Sequence, residues 1–485
     1  MTDKKKLIWV YAISAVFIAL NVFLIAKEFY WFLLLPVAII VLLLFFFSLD
    51  KVLYFIAFCT PLAVSIEDFD SRIALSLPTE PLLFGVFLMF ILKLLFERKY
   101  DFKIIKHPVS IAILINLLWI LITSITSEIP LVSFKYLLSR LWFLVPFYFI
   151  AIILFKKINN IKLISWAYTI PLVIVIIYSS YQLYLWSFDE KAAHWVMDPF
   201  YNDHTAYGAA ISLFVPVIFG FLFDKQYNRT TKLFAIITLL FLLLGLYLSF
   251  SRAAWISLLG ALVVAIFMFL KIKFRWVFLS IAILLSIFFY YQDNILWKLE
   301  KNKQDASADF VEQVQSISNI SSDASNLERI NRWQSAFRMF NERPFLGWGP
   351  GTYQFVYAPY QKTREKTIIS TNAGDKGNAH SEYIGPLSES GVFGMLSVFG
   401  IITAICYTAI NLYRRTKSPR VKLLCMIYFL GLVTYFIHGT LNNFLDTDKL
   451  SVPFWFFTAA IVALDIYHKN EIAEQSGEPI QTESK

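Results

Sequence analysis

Long stretches of this sequence, among them Leu7 to Ala26, Leu163 to Ser187 and Leu233 to Ser251, run without a single charged residue for long enough to cross a membrane. Crossing the roughly 30 Å hydrocarbon core takes about 20 mostly apolar helical residues. A backbone in lipid must satisfy its own hydrogen bonds, so runs of this length select helices. Composition agrees: 58% of the residues are hydrophobic, 18% are aromatic and the mean hydropathy is +0.62, beyond what a water-soluble domain carries. The first run is too long for a cleavable signal peptide and is followed at once by another, so the N-terminus is expected to stay attached. By the same criterion about fourteen spans are expected, starting near residues 7, 30, 52, 81, 108, 136, 163, 205, 233, 253, 276, 391, 423 and 452. The expected fold class is an all-α polytopic membrane protein with about 12–14 transmembrane helices and one large loop containing short helices.

Lys and Arg in short loops mark the cytoplasmic side. With Met1 inside, the clusters Arg98 to Lys106, Lys156 to Lys162, Lys271 to Arg275 and Arg414 to Lys422 all fall on that side. Both termini are therefore expected in the cytoplasm, with residues 293–385 outside it as one long polar loop. The chain divides into helices at 1–292, that loop, helices at 386–467 and a polar tail at 468–485. The net charge of +9 is mostly this orientation signal and needs no nucleic-acid partner. Cys59, Cys406 and Cys425 are expected inside spans, which implies neither a disulfide framework nor a metal site.

Function concentrates on loops held by a rigid scaffold, and the 293–385 loop is far longer than its neighbours. Within it, Leu327 to Arg343 predicts an amphipathic helix stopped by Pro344, with Ile330, Trp333, Ala336, Phe337 and Phe340 on one arc. At about 100° per residue, Arg329 projects into that arc and Arg338 lies opposite. Arg329 either snorkels its stem over the aromatic surface or presents a fixed cation to a membrane-proximal pocket. Arg332, on the arc's edge, reaches the same place or is an ordinary solvated charge. The glycines of Pro344 to Gly351 do not make a phosphate cradle, because no strand precedes them, no Lys-Ser/Thr follows and Pro350 removes a donor. A tight turn is expected instead. Farther on, Asn378 is a candidate N-cap that places His380 in a first helical turn at the membrane surface.

Taken in order, these residues resemble the O-antigen ligase and O-antigen polymerase superfamily of bacterial envelope glycosyltransferases. The resemblance rests on Arg329-x-x-x-Trp333, the Pro344 to Gly351 turn, His380 and Glu389-Ser390-Gly391. Phe250-Ser251-Arg252 and Asn202-Asp203-His204-Thr205 complete it, so residues 200–445 carry the likeness. It implies a glycan donor carried on undecaprenyl pyrophosphate, transfer without a metal or other cofactor, and a site on the periplasmic face of the bacterial inner membrane. Lipid A core, another glycan or a protein hydroxyl would be the acceptor. It also implies that Arg252 and Arg329 hold pyrophosphate and that His380 stands near the acceptor. Fourteen spans exceed the twelve usual in the better-known ligases, which puts the extra pair at the N-terminal end.

The chemistry suits these residue types. An acceptor hydroxyl must lose a proton and a highly charged leaving group must be stabilised. Arginine binds phosphate oxygens in pairs and keeps its charge. Arg140, inside the sixth expected span, is a third pyrophosphate candidate, since an intramembrane charge usually faces a cavity; pairing with a carboxylate such as Glu80 is the alternative. His204, Arg332, Tyr383 and Glu389 are candidates for the acceptor side or for supporting the site. Two rival classes stand against a ligase or polymerase. A lipid or polysaccharide transporter would place carboxylates at mid-membrane, whereas Glu80, Glu389 and Asp465 lie near span ends. A metal-dependent transferase could use Glu67-Asp68-Phe69-Asp70 as oxygen ligands.

Overall fold

The computed structural model describes residues 3–28, scattered positions from 32 to 48, and then 49–68, 73–97, 100–270, 324–367, 370 and 377–469. It divides into two compact units, residues 1–53 and 54–485. The first contains helix α1 (Asp3–Ile25), where Asn21 returns its side-chain N–H to the Phe17 carbonyl, sparing an amide in an apolar setting. Helix α2 (Leu49–Cys59) follows. Beyond it come a hairpin of β1 (Val64–Asp68) and β2 (Ile73–Leu77), then α3 (Thr79–Glu97), α4 (Pro108–Ile125), α5 (Pro130–Leu144), α6 (Ile158–Leu185), α7 (His204–Phe221), α8 (Arg229–Leu248) and α9 (Arg252–Phe269). After α10 (Ala324–Glu342) the chain closes with α11 (Ile384–Arg415), α12 (Pro419–His438) and α13 (Asp448–Ala463).

Among the described residues, 11 helices are long and apolar enough to cross a membrane, so the chain is an all-α polytopic membrane protein. The expected spans near 30 and 276, the basic cluster Lys271 to Arg275 and the tail lie outside the described residues, wholly or in large part. The span expected near 52 is corrected. Helix α2 has 11 residues and gives way at Thr60-Pro61 to a short turn and the hairpin, so Cys59 is not in a full span. Part of the acidic motif at 67–70 lies outside the described residues.

Every residue of α13 is buried, with α7 and α12 packed beside it. Phe214, Tyr428, Phe456 and Phe457 fill this centre, and Gly431 lets α12 approach the Leu213 backbone, the close small-residue contact that membrane helices favour. Outer faces, such as Leu233, Leu240 and Leu244 on α8, are apolar and exposed, as a bilayer solvent requires.

Two ends of the larger unit differ. At one, Lys156 meets Asp101 at 3.7 Å, Arg420 reaches Asn159 at 2.5 Å and Lys162 pairs with Asp224. The clusters around residues 103–106, 156–162 and 414–422 gather there. At the other end stand the 186–203 segment, the start of α9, the described residues between 324 and 383, and the α12–α13 loop. Helix α9 ends on the basic side, whereas α10 begins the next described stretch on the loop side.

Candidate functional site

Helix α10 is built on a polar seam. Its packed face is Glu328, Asn331, Arg332, Ser335, Ala336 and Met339, not the aromatic arc, and Phe337 is 40% exposed. The reason is a closed network: Glu328 accepts from Arg332 at 2.6 Å, from Thr367 at 3.0 Å and from Ser370, while Asn331 donates to Gln361 at 2.9 Å. Burial pushes the Glu328 carboxyl up, but the Ser370 and Arg332 bonds outweigh it and hold the pKa below the usual range. Arg332 is therefore a buried cation stacked 4.3 Å from the Tyr357 ring, not a solvated one. Arg338 is likewise no idle surface charge. It binds the Glu365 carboxylate and donates to the Tyr360 carbonyl at 2.6 Å, fastening α10 to the loop.

The glycine-rich turn after α10 is a docking piece. Trp348 N–H donates to Ser388 O at 3.2 Å, Gly349 N–H to Glu389 O at 2.7 Å, and Val392 N–H to Pro344 O at 2.9 Å. Helix α11 is kinked there at Gly391, whose φ of 70° and contact with the Phe345 backbone leave no room for a side chain. On its other side the turn meets α4 and α5: Glu128 N–H donates to Trp348 O at 2.9 Å and Ser133 to Pro350 O at 2.9 Å. Glu389 also accepts from Tyr353 N–H at 3.0 Å.

His380 is not in a helix. Helix α11 starts at Ile384, and His380 sits before it at φ 47°, its N–H bonded to the Asn378 side chain at 3.0 Å. Ser381, whose hydroxyl accepts from the Tyr383 and Ile384 N–H groups at 3.3 Å, does the capping instead. The His380 pKa is pushed down to about 4, chiefly by burial and then by Arg329 and Arg332, so a helix dipole has no part in it. Asp203 and Glu328 also act on this ring. Arg329 donates through Nε to the Leu441 carbonyl at 3.2 Å.

Around this pair stand residues from other elements. Asp203 caps α7 by accepting from Thr205 N–H at 2.8 Å and lies 3.2 Å from His204, which stacks on His194. Arg252 opens α9 next to Ala253, beside which lies His438, itself bonded to Asn442 at 3.1 Å. His438 and Asn442 were not anticipated, since a histidine at a span end carries no distinguishing sequence signal.

Of the two positions expected for Arg140, it takes the one that faces a cavity. It does not pair with Glu80, which accepts from Ser76 N–H at 3.3 Å. It donates to the Tyr136 hydroxyl at 2.6 Å and to the Leu445 carbonyl at 2.7 Å, lining a cavity of about 70 Å³ together with Glu382, Tyr383 and Glu389. Tyr383 closes one wall by donating to Phe436 O at 2.6 Å. Among the described residues no group of His, Cys, Asp and Glu could hold a metal ion.

A multi-pass helical protein with a charged, loop-covered site at one end is the class these features define. Residues 237–399 match the family model described as O-antigen ligase, which places this part of the chain, from α8 into α11, in the O-antigen ligase superfamily. That superfamily comprises glycan-transferring ligases and polymerases. No curated protein matches the sequence.

Proposed function

We propose that the protein transfers a glycan from undecaprenyl pyrophosphate to an acceptor hydroxyl at its loop-bearing end. The acceptor oxygen attacks the anomeric carbon, the carbon–oxygen bond to pyrophosphate breaks, and undecaprenyl pyrophosphate leaves with the electron pair. The hydroxyl proton passes to neutral His380, while Arg329 and Arg252, with Arg140 nearby, stabilise the leaving charge in place of a metal. The observation that carries this reading is the placement of His380 within electrostatic reach of Arg329. A hydroxyl needs a neutral base and a pyrophosphate needs a permanent cation, and the two stand together.

Purified protein with lipid-linked donor and acceptor in detergent tests it, and chelator is expected to leave the rate unchanged. Ligation to lipid A core is the preferred reaction and polymerisation the alternative; deleting the gene distinguishes them. Loss of a ligase leaves unattached chains on an envelope gel, whereas loss of a polymerase leaves single repeats. The basic end supports a cytoplasmic assignment in the bacterial inner membrane, with the site periplasmic. An impermeant thiol reagent on intact cells is expected to label a cysteine at Gln334 and not one at Lys417, both exposed. The reverse pattern would invert the topology.

A further inference from the structure

Between His380 and Tyr383 lies a carboxylate that the transfer chemistry leaves unused. Glu382 is 8% exposed. Its Oε1 accepts from the Tyr435 hydroxyl at 2.6 Å and from two successive main-chain N–H groups, Phe444 and Leu445, both at 2.9 Å. Its own N–H donates to Gly439 O at 2.8 Å. Two consecutive amides converging on one oxygen form an anion-binding concavity, here filled by the protein's own carboxylate. The loop so gripped, residues 439–447, is the one whose carbonyls meet the arginines. Leu441 O accepts from Arg329 at 3.2 Å, and Leu445 O accepts from Arg140 at 2.7 Å and from the Ser451 hydroxyl at 2.5 Å.

We propose that Glu382 is a positioning residue for glycan transfer: by holding the 439–447 loop it fixes the Leu441 and Leu445 carbonyls, and through them the guanidinium groups of Arg329 and Arg140. It rests on the anion-binding role proposed above for those arginines. A guanidinium already aimed at its target needs no reorganisation when charge develops, and misplacing one by about 1 Å is enough to cost about 10²-fold in rate.

Glutamine at this position keeps an acceptor oxygen of the right reach, whereas alanine keeps none. Purified full-length variants are read in two ways. Deuterium uptake over residues 439–447 is expected to speed up about tenfold in Glu382→Ala, to stay near wild type in Glu382→Gln, and to be unchanged in α7 and α13. In transfer assays with an undecaprenyl pyrophosphate-linked glycan, Glu382→Ala is expected to lose about 10²-fold in kcat/KM, with a lowered kcat, and Glu382→Gln to restore most of it. If the Glu382→Ala chain does not fold, Glu382→Asp, one methylene short, is read by the same two measurements. Unchanged exchange in the loop, or a loosened loop with an unchanged kcat/KM, overturns the proposal beside a working wild type. A wild type that transfers nothing, or an Arg329→Ala variant that transfers normally, overturns the functional reading and this proposal with it.

Discussion

Buried cations in the bundle are held in two ways: by an acid, as at the basic end and as Arg332 is by Glu328 at the loop end, or by uncharged acceptors, as around Arg140. At the basic end a cation meets an acid: Lys162 pairs with Asp224, both nearly inaccessible. At the loop end Arg140 donates to a tyrosine hydroxyl and a carbonyl, and Arg329 donates to another carbonyl. A carbonyl satisfies a donor without cancelling its charge. The first arrangement closes a structure, and the second fixes the direction of a guanidinium, Arg140's at the wall of the cavity it shares with Glu382 and Glu389.

Substitutions can break this contrast. His380→Ala is expected to cost about 10² to 10⁴ in kcat with the protein folded. With the His380 pKa near 4, the imidazole is already neutral at ordinary pH, so wild-type activity should hold from pH 7 to about pH 5 and fall as the ring protonates near 4. A rate that halves near the unperturbed value of about 6.5 would show that burial and the two arginines do not hold the ring's pKa down. At the other end, Lys162→Met should cost about 3–5 kcal/mol of stability by stranding Asp224, with per-molecule activity intact. Adding Asp224→Leu should recover most of that, as melting in detergent would report; lost activity at full stability would erase the contrast. Arg329→Lys is expected to lose about 10- to 100-fold in transfer, because a point ammonium cannot make paired phosphate contacts. Smallest is Arg338→Lys, which should lower stability by about 1 kcal/mol by loosening Glu365 and Tyr360, without changing donor KM.

The spans were legible because hydrophobic length is a local property of the chain. Where that property misled, at residues 52–77, a proline after Thr60 and a short pairing of Val64–Asp68 with Ile73–Leu77 divided apolar sequence into pieces too short to cross. The α10 pattern was misread for a related reason. Its buried face is polar, and only the partners Thr367, Ser370 and Gln361, distant in sequence, make that face tolerable. The 439–447 loop was illegible in principle. Leu441 and Leu445 act through carbonyl oxygens, which every residue has, so no side-chain pattern marks them. Glu382 has a visible side chain, but its partners Tyr435, Phe444 and Leu445 are more than 50 residues away, so its role has no local pattern.

The seam joining residues 344–351 to both Glu389–Val392 and α4–α5 sets a clock on assembly. Ser127 donates to the Trp348 carbonyl across 221 residues of chain. At about 5–20 residues per second, synthesis reaches Trp348 roughly 10 to 45 s after Ser127. Through that interval the early helices are in place with the socket for the turn unfilled, and the backbone of Glu389 that completes it arrives later still. A nascent chain halted before Glu389 can thus be anchored in the membrane and yet hold no assembled site, so charge-bearing groups come together only when nearly the whole protein has been made.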